Sequence, residues 1–177
     1  MIANPRVLGY LGRALSHEFS AVQQYLTHAE LAALWGMTEA EQYFHEEARG
    51  EQSHAARLTS RMLQLGAMPN ASQLTPVRAG PTLLDLFEAD RALEQRAVEI
   101  YREAANYCAL IHAAADQALF TTLMQEEMSH ARELDLWIAR LRQPQAPLRR
   151  PHDHDQPELA ASSATTATGA SGDARGL

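Results

Sequence analysis

Six side chains of this sequence have the types and the spacing of metal ligands. Four are glutamates and two are histidines, and they form two matching sets, each a lone Glu followed by a Glu-x-x-His. The six candidate ligands are Glu18, Glu51 and His54 in the first set, and Glu94, Glu127 and His130 in the second. The two glutamates are 33 positions apart in both sets, and each member of the second set follows its counterpart by 76 positions. One Glu-x-x-His is common in an acidic chain, but two copies in register at every position indicate a duplicated site.

Bound cations are the best explanation for carboxylates and histidines that repeat in this way. Residues i and i+3 share a helix face, so each Glu-x-x-His can direct both side chains to one point. Four ionised carboxylates in a core would cost many kcal/mol without partners, and two divalent cations neutralise them. Oxygen and imidazole ligands with open positions favour iron, manganese or zinc over calcium, and non-haem iron is the usual occupant. The alternative, in which these acids are solvated at the surface, leaves the repeat unexplained.

A tyrosine follows the first acid of each set at the same spacing. Tyr25 and Tyr101 therefore obey the same repeat, and they lie two helical turns from Glu18 and Glu94 on the same face. Their hydroxyl groups can hydrogen-bond the ligand carboxylates of the neighbouring helical hairpin, and we predict Tyr25 as a further catalytic residue. The alternative is that both are ordinary core tyrosines.

The positions of the turns predict that the ligands lie on two antiparallel helical hairpins. Trp35-Gly36 ends the first helix, and in a hairpin the residues equidistant from the turn face each other. The midpoint between Glu18 and Glu51 falls at this same turn. The midpoint of the second pair of acids lies at Leu110-Ile111, where no Gly or Pro marks a turn. From the repeat we nevertheless expect the chain to reverse direction between residues 108 and 116.

Capping motifs predict where three of the helices begin. They are Asn4-Pro5 for the first helix, a capping box of Thr38 with Glu41 for the second, and Thr82 with Asp85 for the third. Between the second and third helices, residues 67–81 are rich in proline and form a connection. When extended, this connection reaches about 50 Å, more than the length of either helix. The third helix can therefore run parallel to the second.

These elements predict an all-α fold with two parts. Residues 1–142 form a four-helix bundle of two antiparallel hairpins joined by a long crossover. Residues 143–177 are of low complexity, with prolines followed by Ala, Ser, Thr and Gly. Such a segment cannot bury enough apolar surface to offset its ordering entropy, so we predict a disordered C-terminal tail.

Composition limits the possible partners. The chain has 15 Lys plus Arg against 22 Asp plus Glu, a net charge of −7, which argues against a nucleic-acid-binding surface. No apolar signal core follows the first residues, and no run of about 18 apolar residues could span a membrane. The single Cys108 excludes an intrachain disulfide. We expect a cytoplasmic protein without a membrane or nucleic-acid partner.

With these motifs the sequence resembles the ferritin superfamily, and within it the bacterioferritins and their haem-free bacterial relatives. The resemblance covers residues 1 to about 142, and the six candidate ligands correspond to the ferroxidase ligands of that family. It implies that Glu51 and Glu127 bridge two iron ions. Glu18 with His54 would complete one iron position, and the remaining acid and histidine would complete the other. Such centres bind two Fe(II), pass electrons to dioxygen or hydrogen peroxide, and yield Fe(III), which is stored inside a hollow multi-subunit shell.

The sequence departs from the bacterioferritin pattern at several places. Bacterioferritins hold haem between two subunits through a methionine directly after the acid of the first Glu-x-x-His. That position is Gln52 here, so we expect no haem in a homo-oligomer. Glu46 and Gly50 stand where the family usually has a His and an Asp that bind iron on the inner surface. Prolines from Pro144 onward replace the short fifth helix that lines the four-fold axis of the family's 24-subunit cage.

The sequence as a whole predicts a ferroxidase with two non-haem iron ions per subunit. It would oxidise Fe(II) with dioxygen or hydrogen peroxide and serve iron storage and detoxification as a homo-oligomer. One alternative is a non-storing di-iron oxidase or peroxidase that works as a dimer. A second is a non-catalytic partner subunit that contributes surface or a tail to a mixed shell. Separately from that alternative, a mixed shell would obtain its haem from a second, haem-binding subunit type.

Overall fold

Four long α-helices make up the structure. The computed structural model describes residues 4–71 and 73–143, and the helices are α1 (Pro5–Leu34), α2 (Thr38–Gln64), α3 (Leu83–Leu110) and α4 (Ala114–Arg142). No strand occurs among the described residues, so the predicted all-α four-helix bundle is confirmed. None of the four described helices is long and apolar enough to cross a bilayer. Apart from Gln143, which caps α4, the tail predicted to be disordered lies outside the described residues.

The first three helices end in the same backbone turn. In each turn, one residue with a positive φ angle is followed by a residue whose N–H donates to a carbonyl oxygen five residues back, at 2.9 Å. Gly36 (φ 70°) and Gly66 (φ 76°) hold the positive-φ position after α1 and α2, and His112 (φ 58°) holds it after α3. The chain therefore reverses at residues 111–113, as the repeat predicts, although a histidine takes a conformation that glycine adopts without strain. Gly36 and His112 are themselves counterparts in the repeat.

Two of the three predicted capping motifs are present. The Asn4 side chain accepts hydrogen bonds from two backbone N–H groups in the first turn of α1, at 2.9 and 3.3 Å. Thr82 and Asp85 form a complete capping box at the start of α3. Both motifs satisfy N–H groups that have no partner within the helix, which explains why they locate the helix starts correctly.

The capping box predicted for Thr38 and Glu41 is wrong. The N-cap of α2 is Met37, whose side chain caps none of the described backbone groups, and Thr38 is the first helical residue. The preceding turn explains the difference, because the Met37 N–H closes that turn by donating to the carbonyl oxygen of Ala32. With the turn closed at Met37, α2 begins one residue later and leaves Thr38 inside the helix.

Side-chain contacts show that α1 and α3 run in opposite directions. Successive α1 residues pair with α3 residues in reverse order: Glu18 with Tyr101, Tyr25 with Glu94, and His28 with Asp90. Since α2 is antiparallel to α1 within its hairpin, α3 runs parallel to α2. This is the arrangement predicted for a crossover that spans the length of the bundle.

The crossover between α2 and α3 is held against α1 by polar side chains. Thr75 N donates to Ser20 Oγ at 2.9 Å, and Arg78 N donates to Gln24 Oε1 at 3.1 Å. The carbonyl oxygen of Arg78 accepts a hydrogen bond from His28 Nε2 at 2.8 Å. Later residues of the crossover contact later residues of α1. The crossover therefore runs beside α1 in the same direction.

A buried carboxylate joins this contact region to α3. Gln24 Nε2 donates to Asp90 Oδ1 at 2.8 Å, and His28 Nδ1 lies 2.9 Å from Asp90 Oδ2. Asp90 and His28 are fully buried, and burial raises the pKa of Asp90 above its ordinary value. We call these three residues the Asp90 network. It connects α1, α3 and the crossover at one point.

Two apolar clusters fill the bundle on either side of a polar layer. The first cluster includes Leu11, Leu15, Leu58, Ile100 and Phe120. The second includes Tyr25, Phe44, Leu86, Phe87 and Leu134. On every helix the candidate ligands lie between the segments that supply these two clusters. Hydrophobic packing above and below therefore fixes the height at which the acidic residues meet.

Candidate metal centre

The structure brings all six candidate ligands together in the polar layer. The four glutamates are at most 1 % exposed, His54 is 4 % exposed, and the His130 side chain is 20 % exposed. A first group consists of Glu18, Glu51, His54 and Glu127. One ligand atom from each of these residues lies within 4.8 Å of the ligand atoms of the other three. A second group with the same spread consists of Glu47, Glu51, Glu94 and His130. The two groups define two neighbouring positions, each suited to one cation.

Glu51 and Glu127 each face both histidines. His54 Nδ1 lies 2.7 Å from Glu127 Oε1 and 3.1 Å from Glu51 Oε2. His130 Nδ1 lies 3.5 Å from the other oxygen of Glu127 and 3.4 Å from the other oxygen of Glu51. A carboxylate with one oxygen directed to each of two positions is suited to bridge two cations. Glu18 lies on the His54 side, with its Oε2 3.6 Å from His54 Nδ1.

The carboxylate oxygens at this centre fit bound cations. Among the described residues, six buried oxygens here have no hydrogen-bond partner: Glu18 Oε2, Glu47 Oε2, Glu51 Oε1, Glu94 Oε2 and both oxygens of Glu127. Buried carboxylates without partners are destabilising by several kcal/mol each. A divalent cation satisfies several such oxygens at once, and mixed carboxylate and imidazole donors suit iron, manganese or zinc. The residues present therefore fit a pair of transition-metal ions.

Tyrosine hydroxyl groups hold the two outer acids. Tyr25 donates a hydrogen bond to Glu94 Oε1, and Tyr101 donates one to Glu18 Oε1. Burial raises the pKa of both tyrosines well above the ordinary value, so both hydroxyls keep their protons and act as donors. Each bond links one hairpin to the other, as the sequence analysis expects. The tyrosines thus fix the orientation of one acid in each half.

Burial and mutual repulsion separate the proton affinities of the four acids. Burial, together with the charge on Glu51, raises the pKa of Glu18 and of Glu94 well above the ordinary value. Burial also acts to raise the pKa of Glu51, but interactions with Glu18, His130 and His54 lower it below the ordinary value. The pKa of Glu127 is lowered in the same way by its contacts with both histidines and Glu94, against the effect of burial.

Both histidines hold protons in the metal-free centre. Burial acts to lower the pKa of His54, but contacts with Glu127, Glu18 and Glu51 outweigh this and raise the pKa to about 12. His130 shows the same balance, with its contacts to Glu127 and Glu51 raising the pKa to about 10. A metal ion at this centre therefore competes with protons for the imidazole nitrogens.

Glu47 is a member of the centre that the sequence repeat does not reveal. Its side chain is 9 % exposed, its Oε2 lies 3.5 Å from His130 Nδ1, and burial raises its pKa to about 7. Glu47 precedes Glu51 by one helical turn and so shares its helix face. Its counterpart in the second half of the repeat is Leu123, however, so a search for repeated acids cannot find Glu47.

Comparisons with known proteins agree with this geometry. Residues 8–143 match the family model of the ferritin-like domain. Bacterioferritin of Rhodobacter capsulatus is 32 % identical to this chain over 139 residues, which covers 78 % of this chain and 86 % of that protein. Bacterioferritin of Streptomyces coelicolor is 32 % identical over 130 residues, which covers 73 % of this chain and 78 % of that protein. The chain belongs to the ferritin superfamily and is of the bacterioferritin type.

A solved structure from the same superfamily shows the same fold. The structure of Rhodobacter capsulatus bacterioferritin superposes on this chain with a TM-score of 0.76 at 32 % identity, and covers 78 % of this chain and 87 % of that one. That structure is described as having a metal-free dinuclear site and a haem iron. Ferritin-type membership and the carboxylate–histidine centre together support a general role in iron handling.

Proposed function

We propose that this protein is a ferroxidase, which oxidises Fe(II) to Fe(III) at the centre between its two hairpins. The observation that carries the proposal is the geometry of Glu51 and Glu127, each of which directs one oxygen toward each histidine. A shared pair of carboxylates is suited to hold two Fe(II) ions side by side. The relatives named bacterioferritin support iron as the metal.

The reaction needs two electrons, and a pair of Fe(II) ions supplies them. Dioxygen takes up two electrons and two protons to give hydrogen peroxide, and hydrogen peroxide takes up two electrons and two protons to give two water molecules. Either oxidant therefore fits the proposal. The outer carboxyl groups and the imidazole rings release their protons as Fe(II) binds. The protein thus supplies protons close to the place where the oxidant needs them.

Each side chain has a distinct role in this proposal. Glu51 and Glu127 would serve both metal positions, since each faces both histidines. Glu18 and His54 would complete one position, and Glu94 and His130, with Glu47 beside them, would complete the other. Tyr25 acts through Glu94, whose carboxylate it orients by a hydrogen bond. The apolar clusters on both sides of the layer lower the local dielectric constant and so strengthen the electrostatic interactions within it.

The test is Fe(II) oxidation in air, followed by the growth of ferric absorbance. Wild-type protein should accelerate the reaction, and Glu51→Ala or Glu127→Ala should reduce the rate to that of Fe(II) in buffer, because each removes a ligand common to both metal positions. The matched control is Glu46→Ala, a change of the same type on α2 at a side chain that is 71 % exposed. This control should keep the wild-type rate. A wild-type rate equal to that of buffer would contradict the ferroxidase proposal.

We also propose that the homo-oligomer binds no haem. The family's haem-binding methionine is replaced by Gln52, which is exposed on α2, and an amide is a poor axial ligand for haem iron. Protein expressed alone should therefore show no Soret absorption band. Gln52→Met, which restores the thioether, is the informative variant, since it should acquire the band. A Soret band in the unmodified homo-oligomer would refute this part of the proposal.

A further inference from the structure

The two nitrogens of the His54 ring face different partners. Nδ1 faces the centre, at 2.7 Å from Glu127 and 3.1 Å from Glu51. Nε2 points away from the centre and lies 3.1 Å from Glu126 Oε2. If Nδ1 binds a metal ion, Nε2 carries the ring proton and its N–H donates a hydrogen bond to this carboxylate. A carboxylate in this place orients a ligand histidine and raises its basicity.

Arg57 holds Glu126 in position. Its Nη1 donates to Glu126 Oε1 at 3.1 Å, and its Nη2 donates to Glu126 Oε2. This two-pronged pair connects α2 with α4, and both side chains are about one third exposed. A paired guanidinium and carboxylate has a defined geometry, which a single point charge would not impose. The carboxylate that faces His54 is therefore itself fixed.

The other half of the repeat has no such pair. The counterpart of Glu126 in the first half is Gly50, and the counterpart of Arg57 in the second half is Glu133. Gly50 does face the other ligand histidine, because a Cβ atom at this position would lie 3.7 Å from His130 Cε1. Within the described part of the chain, all the carboxylate contacts of His130 are made by Nδ1 and none by Nε2. The His130 side chain is also the more exposed, 20 % against 4 % for His54.

We propose that Arg57 and Glu126 are a positioning pair for His54, and that the metal position at His54 consequently binds a divalent cation more tightly than the position at His130. The inference rests on the proposed two-metal centre. Removing a hydrogen-bond partner of this kind from a ligand histidine typically weakens metal affinity by about ten- to a hundredfold. The repeat gives the two metal positions the same types of ligand. The Arg57–Glu126 pair contacts the histidine of only one position and so makes the two positions different.

The experiment is an anaerobic Co(II) titration of the full-length, metal-free protein, followed by calorimetry and by the visible absorption of Co(II). Wild-type protein should bind two ions in two steps of different affinity. The step lost in His54→Ala identifies the His54 position. Glu126→Gln should weaken this step by about ten- to a hundredfold and alter its Co(II) absorption bands, while the other step changes by less than about twofold. Glu126→Asp, which keeps the carboxylate, should restore most of the affinity.

Two further variants separate positioning from a general effect. Glu133→Gln removes an exposed carboxylate two turns after Glu126 on the same helix and should change neither step. Arg57→Gln should weaken the His54 step in the same direction as Glu126→Gln, because Glu126 loses its anchor. If Glu126→Gln leaves both binding steps unchanged, or weakens both equally, the proposed positioning pair is refuted. The two-metal centre would not be affected by that result. Fewer than two Co(II) ions bound by wild-type protein would overturn the two-metal centre together with this inference.

Discussion

Charge balance at the level of single residues describes how protons and metal ions compete for the centre. The pKa values of Glu51 and Glu127 are lowered, so both carry charge, whereas those of Glu18 and Glu94 are raised by burial, so both hold protons. The two histidines are protonated and balance the two charged acids. Two divalent cations likewise balance the four carboxylates of the repeat when these are ionised and the two imidazoles are neutral. Metal binding is therefore an exchange of two cations for about four protons.

This exchange predicts that metal affinity rises with pH. The displaced groups have raised pKa values, so protons compete more strongly with metal as the pH falls. With about two protons displaced per ion, affinity should rise by about a hundredfold per pH unit near neutrality. Anaerobic Co(II) titrations at about pH 6.5 and about pH 7.5, in buffers of different ionisation enthalpy, measure the affinity and the number of protons released. An affinity independent of pH would contradict the protonated state of the metal-free centre.

At the level of secondary-structure elements, buried polar contacts hold the crossover between α2 and α3 in place. It has no helix of its own and is held against α1 by hydrogen bonds to Ser20, Gln24 and His28. Asp90 accepts from Gln24 and contacts His28, which ties the same segment to α3. Because α3 can pair with α1 only if the crossover lies along the bundle, the Asp90 network helps to set the level at which the outer acids meet.

Asp90→Ala should destabilise the metal-free protein by about 3 kcal/mol, because it leaves the buried Gln24 amide and the His28 ring without their common hydrogen-bond partner. This corresponds to a decrease in Tm of about 6–12 °C for a domain of this size. Thermal unfolding measures the change, and limited proteolysis should show faster cleavage within residues 67–81.

The control for this prediction is a surface ion pair between the same two helices. Arg13 and Glu103 connect α1 and α3, with side chains 45 % and 64 % exposed. Exposed pairs contribute up to about 1 kcal/mol, so Glu103→Gln should have a much smaller effect than Asp90→Ala. Equal losses in the two variants would show that the Asp90 network has no special role.

Repetition in the sequence explains which features could be predicted. The reversal at residues 111–113 lacks a local turn signal, yet the repeat predicts it because the same backbone turn occurs at Gly36. A local rule failed at Thr38, because the neighbouring turn is closed by backbone atoms that no side-chain motif reveals. Glu47 and Glu126 lie outside the prediction because each lacks a counterpart in the other half. Their proximity to the ligand histidines depends on packing between helices.

On the scale of the whole molecule, the structure is one subunit of a protein whose relatives include the bacterioferritins. We expect assembly into a multi-subunit shell that stores the ferric product. In the 24-subunit cages of the resembled family, a fifth helix lines the four-fold axis, and the corresponding residues of this chain follow Gln143, outside the described residues. The size of the particle therefore decides between a storage protein and a smaller oxidase.

Light scattering of the purified protein should give a mass of roughly 470 kDa, that of 24 copies of the 19.6 kDa chain. A closed shell of this size can enclose mineral, and iron loading should then raise the mass without changing the outer radius. A particle of roughly 39 kDa, that of two chains, would instead support a di-iron oxidase that does not store iron. Deleting residues after Gln143 tests whether the segment is needed for assembly.

Among the described residues no carboxylate contacts Nε2 of His130, and Gly50 stands at the position that corresponds to Glu126. This difference between the halves has a consequence for how the protein can change over time. If two identical hairpins formed the same centre as a symmetric dimer, every substitution would alter both metal positions at once. When the two hairpins belong to one chain, a substitution in one hairpin does not have to occur in the other. The affinity of each metal position can then change independently. Glu126 with Arg57 on one side, and Glu47 on the other, are two such independent adjustments. In a single chain, the metal position at His54 and the one at His130 can therefore acquire different affinities.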